Sequence, residues 1–95
     1  MEILSLEPRC LRYFVALAEE LNFRRAAGRL HVSPPALSVQ IRKLEEALGA
    51  RLCERDTTRV CLTPAGEVLL REARKLLRHM QKTVVKVREA GARAT

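Results

Sequence analysis

Aromatic side chains are scarce in this 95-residue chain, 3% of it (Tyr13, Phe14 and Phe23), and tryptophan is absent. No stretch comes near the roughly 18 consecutive apolar residues that a membrane span needs, so no membrane partner is expected. The N-terminal MEILSLEPR carries acidic residues where a secretory leader has basic ones ahead of an apolar run, and no secretory signal is expected. Cysteine is limited to Cys10, Cys53 and Cys61, an odd number with no CxxC pair. That argues against a disulfide scaffold or a zinc finger and for reduced thiols in a cytoplasmic protein without metal or cofactor. Catalytic equipment is missing too: His31 and His79 stand alone, and there is no P-loop and no GxGxxG, HExxH or GxSxG motif. No catalytic residue is assigned, and an enzyme is not expected. There is also no internal repeat, no low-complexity segment and no room for a second independent core.

What is present is a helical, basic composition. Apolar residues make up 47% and charged residues 31%, the balance of a soluble globular domain. Leu and Ala together fill 27 positions, and both are strong helix formers. The formal charge is +7, and 14 of the 18 basic residues are arginine, whose planar guanidinium grips phosphate oxygens two at a time. A polyanionic partner is therefore expected. The charge is uneven, with a net +1 in residues 1–50 and +6 in residues 51–95.

Periodicity and capping residues predict four helices and one hairpin. Pro8 opens the first helix at its N1 position, with Leu11, Phe14, Val15, Ala18 and Leu21 on one face. Asn22 caps a second helix, Phe23 to Leu30, that turns Ala26, Ala27 and Leu30 inward. After the turn at His31, Val32 and Ser33, Ser33 caps a third helix with Pro34 and Pro35 in its first turn. Its apolar stripe is Leu37, Ile41, Leu44 and Leu48, and Gly49 is its stop. Arg51–Arg55 and Val60–Leu62 read as short strands around the turn Asp56-Thr57-Thr58-Arg59. Thr63 caps and Pro64 begins a last helix that is expected to reach Ala90, ahead of Gly91.

Opposite its core stripe, the third helix carries Pro35, Ser38, Val39 and Arg42 at i, i+3, i+4 and i+7. Small side chains let a helix enter the major groove, and Ser and Arg hydrogen-bond base edges or phosphates there. An ordinary solvated face is the alternative. The context favours DNA, because a short helix, a three-residue turn and a longer helix form the helix-turn-helix arrangement.

The ordered series Phe14, Ala18, Phe23, Ala26-Ala27, Ser33, Ser38-Val39-Gln40, Glu54-Arg55 and Thr63-Pro64-Ala65-Gly66 resembles the N-terminal DNA-binding region of the LysR-type transcriptional regulators. The resemblance implies a mainly α fold, a winged helix-turn-helix of three helices plus a short β-hairpin wing, followed by a long dimerisation linker helix. It implies a DNA-binding domain over 1–62, with the motif at about 23–42 and the wing at about 51–62. A linker helix over 63–90 and a tail over 91–95 would follow. By analogy the recognition helix reads the major groove through Ser33, Pro34, Pro35, Ala36, Ser38, Val39 and Arg42. The wing, with Arg55, Thr57, Thr58 and Arg59, would reach phosphates or the minor groove. Arg24 and Arg25, in the first turn of the second helix, are further phosphate candidates, with plain surface cover as the alternative for each arginine.

Three positions depart from the family's habit. Many members carry Gln where this chain has Pro34, Arg where it has Val39, and a hydroxyl residue where it has Arg24. Pro34 donates nothing and Val39 offers only apolar contact, so base reading is expected to fall on Ser38, Arg42 and the wing, supplemented by DNA shape.

The last helix holds an apolar seam, Leu69, Ala73, Leu76, Met80, Thr83, Val87 and Ala90, broadened by Leu77 and Val84. A second copy of itself is the simplest partner for Leu69, Ala73, Leu76, Met80, Thr83, Val84 and Val87. Packing of its first turns on the chain's own first helix is the alternative, and both can hold on different faces. Arg71, Arg74, Lys75, Arg78, Lys82, Lys86 and Arg88 form a basic outer face that is expected to be solvated. The resemblance implies a homodimer on an interrupted palindrome of double-stranded DNA, with a tetramer open to a full-length protein. It also implies a chain cut before an effector domain, which would hold any small-molecule inducer. Two other readings stay open: a coiled-coil protein–protein module, and a winged helix of another regulator family. Cys53 and Cys61, one on each wing strand, are either redox partners or small buried apolar residues.

Overall fold

The computed structural model describes residues 6–56 and 59–94. Four helices run in chain order, α1 (Pro8–Glu20), α2 (Phe23–Leu30), α3 (Pro34–Leu48) and α4 (Pro64–Ala94), with strands β1 (Cys53–Arg55) and β2 (Val60–Leu62) between α3 and α4. The helix ends follow from local chemistry. Asn22 accepts a hydrogen bond from the Arg25 N–H at 2.9 Å and Ser33 Oγ accepts from the Ala36 N–H at 3.2 Å, each relieving an orphan donor of a first turn. α3 stops at Gly49, whose φ of 66° is a left-handed conformation that glycine adopts without strain. No described helix is long and apolar enough to cross a membrane.

Phe14, Leu17, Leu37 and Leu52 are the largest fully buried side chains, and Ala26 and Ala27 pack α2 against them. The buried face of α1 keeps Leu11, Phe14 and Ala18 of the expected one and is otherwise shifted. Cys10, Leu11, Phe14, Ala16, Leu17 and Ala18 are buried, Val15 is half-buried, and Leu21 is exposed because it is the left-handed C-cap at φ 51°. α1, α2 and α4 are also tied together by charge. Glu19 accepts from Arg29 at 2.6 Å and from Arg74 at 2.8 Å, and these guanidinium donors, Arg74 foremost, hold its carboxyl below the usual glutamate range. Arg74 thus belongs to this network rather than to a freely solvated face.

The hairpin is antiparallel, with Cys53 opposite Leu62, Glu54 opposite Cys61, and Arg55 opposite Val60. Its register decides the cysteine question. Cys53 is buried on the inner face and Cys61 is exposed on the outer one, so the wing thiols are neither bonded nor both buried. Burial pushes the Cys53 and Cys10 thiols up, with Glu45 and Glu7 adding to it. In a thiol titration Cys61 should react at once and the other two only as the domain opens. Simultaneous release of all three, or an intrachain Cys53–Cys61 bond under mild oxidation, would contradict this packing.

α4 passes through Gly91 and continues to Ala94, so the expected tail over 91–95 is helical as far as it is described. One glycine weakens a helix by only about 1 kcal/mol relative to alanine, and Ala90, Ala92 and Ala94 surround this one. The helix starts under tighter control. Thr63 Oγ1 accepts from the Gly66 N–H at 3.0 Å and donates to the Arg51 carbonyl at 2.6 Å, while the Thr63 N–H donates to the Leu52 carbonyl at 3.0 Å.

Candidate nucleic-acid interface

The N-termini of α2 and α3 and the wing open onto one cleft of about 410 Å³, lined by Asn22, Phe23, Pro34, Pro35, Ser38, Arg55, Asp56, Arg59 and Val60. Pro34, Pro35 and Ala36 are exposed, as the first turn of a helix presented outward must be, and Val39 (42% exposed) and Arg42 carry that face along α3. Its periodicity therefore holds, with Leu37, Ile41 and Leu44 buried behind it. Ser33 is occupied with capping Ala36. Arg24 and Arg25 project from the first turn of α2, and neither they nor Arg42 or Arg59 takes part in an ion pair among the described residues.

The wing is shaped by its own turn: the Arg59 N–H donates to Asp56 Oδ1 at 2.9 Å and the Asp56 N–H donates to the Arg59 carbonyl at 3.1 Å. Thr57 and Thr58, expected at its tip, lie outside the described residues. Arg55 is exposed on the wing and leans toward α2 and α3, its guanidinium 4.5 Å from the centroid of the Phe23 ring and its Nη2 donating to Ser38 Oγ at 3.0 Å. Phe23, given no part in the site by the sequence, is the platform for that contact. Arg51 is likewise engaged, with Glu45 at 3.7 Å and Glu54 at 3.6 Å.

On α4 the seam divides in two. Ala73 is fully buried within its own chain and so cannot meet a second copy, while Leu69 is partly buried against the chain's own core. The reason is helical phase, since these early turns lie over α1 before the rod outruns the domain. Beyond them Leu76, Met80, Val84 and Val87 are 44–65% exposed, and Thr83 is exposed with its hydroxyl donated to the His79 carbonyl at 2.9 Å. Val68 and Val85, which the seam spacing missed, are about half exposed.

Residues 8–67 match the family model described as the bacterial regulatory helix-turn-helix protein, lysR family. The Hca operon transcriptional activator HcaR of Escherichia coli K12 is 48% identical over 84 residues, 88% of this chain and 28% of the relative. The chain spans about a quarter of the length of such curated relatives. Among solved structures, the DNA complex of the CbnR DNA-binding domain superposes with a TM-score of 0.89 at 41% identity, covering 90% of this chain and 99% of that one. The DNA-binding domain of BenM bound to benA site 1 DNA gives 0.86 at 42% identity, over 90% and 97% of the two chains.

Proposed function

Because the chain belongs to the LysR family of bacterial helix-turn-helix regulators, we propose that it is a DNA-binding domain that reads duplex sequence in the cytoplasm as a homodimer. It works by binding rather than by catalysis. The observation that carries this reading is the exposed face of α3, small at Pro35 and Ser38 and basic at Arg42, set beside a hairpin that presents Arg59. That face enters the major groove, Arg59 meets the backbone or the minor groove, and Arg24 and Arg25 meet phosphates. Two copies joined along α4 place two such faces on the half-sites of an interrupted palindrome.

Binding to duplexes measured across a salt series tests it. Affinity should fall steeply with salt, and an interrupted palindrome recovered from a random pool should outcompete bulk DNA. Equal affinity for every duplex would overturn the sequence-specific reading. Arg42→Ala should cost about 1–3 kcal/mol on the selected site and little on random DNA. Arg59→Ala should weaken both alike and reduce the salt slope by about one. If both variants bind like the parent, the assigned face is the wrong one.

A further inference from the structure

Arg55 ties the wing to the outward face of the recognition helix through Ser38. An arginine has no acceptor, so the direction of its 3.0 Å bond to Ser38 is fixed: Nη2 donates and Oγ accepts. A serine hydroxyl has one proton and two lone pairs, and with one lone pair taken by a cation the other becomes a poorer acceptor while the proton becomes a better donor. Within a helix a hydroxyl commonly returns that proton to the carbonyl four residues back, as Thr83 does to His79. Ser38 does not: Arg55 is its one hydrogen-bond partner among the described residues. The Phe23 ring, 4.5 Å below the guanidinium, keeps the cation seated over the cleft.

We infer that Arg55 is a positioning residue that sets Ser38 as a hydrogen-bond donor, so that the chain selects an acceptor edge and rejects cytosine at the base Ser38 faces. The inference rests on the proposed major-groove reading. In that groove guanine offers N7 and O6, adenine N7 and thymine O4 as acceptors, whereas cytosine shows only its N4 donor. Cytosine's N4 donor is left with the second lone pair of Ser38, a weakened acceptor beside a full positive charge, whereas an acceptor edge takes the strengthened proton. Unaided, serine pairs with either kind of edge. The discrimination is therefore a property of the Arg55–Ser38 pair.

The test is a panel of duplexes carrying each of the four bases at every half-site position, bound by the parent, Ser38→Ala, Arg55→Gln, Arg55→Lys and the Ser38→Ala/Arg55→Gln double variant. In the parent, one position should disfavour cytosine about tenfold. Ser38→Ala and Arg55→Gln should flatten that same position and leave preferences elsewhere intact, the double variant should flatten it no further, and Arg55→Lys should restore part of it. Since Arg55 touches no phosphate in this account, Arg55→Gln should also keep the parent's salt slope. A slope lowered by about one, with cytosine still rejected, would show a phosphate contact by Arg55 and overturn the proposal. So would a position whose preference responds to Ser38→Ala but not to Arg55→Gln. A parent that binds all duplexes equally fails at the earlier step, the sequence-specific reading itself.

Discussion

Gly66→Ala should destabilise the domain by about 3 kcal/mol, the upper end of what overpacking usually costs. For a chain of this size that lowers Tm by roughly 15 °C. A Cβ at Gly66 would run into the carbonyl oxygen of Leu52, a backbone atom that already accepts the Thr63 N–H. A long side chain would swing aside, but this carbonyl is held from two directions. Leu52 is fully buried, and its own N–H donates to Glu45 Oε2 at 2.9 Å. Relief requires α4 to pull away from the hairpin, which loosens Thr63 from the carbonyls of Arg51 and Leu52 together. Gly28→Ala is the matched control. Its Cβ meets nothing within 4 Å on the exposed side of α2, so the usual helix preference should apply and stability should rise by up to about 1 kcal/mol. Thermal melts of the two variants should therefore move in opposite directions. If Gly66→Ala melts with the parent, the junction is more pliable than its hydrogen bonds imply.

The two glycines mark the limit of what the sequence discloses. Thr63-Pro64-Ala65-Gly66 was legible as a helix start because capping is local, and the same holds for Asn22, Ser33 and Gly49. The face of α3 was legible because one side of that helix is buried and periodicity then specifies the other. What escaped was tertiary. Leu21 obeys the spacing of α1 but terminates it, so its side chain leaves the core. Ala73 obeys the spacing of the seam but falls where α4 still lies over the domain. Arg55 has the charge of a phosphate ligand, yet no local rule places Phe23 and Ser38, remote in sequence, around its guanidinium. The outward side of Cys61 depended on strand register, which a one-residue shift would invert.

The half-exposed stripe on α4 leads to the other large effect. Val84→Glu combined with Met80→Glu should convert the proposed dimer to a monomer and lower affinity for a two-half-site duplex by about a hundredfold or more. The second half-site would no longer be bound at high effective concentration. Both side chains lie nearly half exposed in a single chain, so the protomer's core is untouched and its melt should shift little. At a dimer seam the same positions are buried, and a pair of carboxylates on each copy would meet like charge in an apolar setting. Sedimentation gives the mass, and a single-half-site duplex separates the two causes of weak binding, because its affinity should change far less. Salt sharpens the distinction: the parent's α4 carries most of the net positive charge of residues 51–95, so salt should favour pairing of two such rods while it weakens DNA binding. If the double variant remains dimeric, the interface lies elsewhere on the chain. The stripe of Leu76, Met80, Val84 and Val87 would then need a different cover, because four half-exposed apolar side chains along one helix face are a surface that water disfavours.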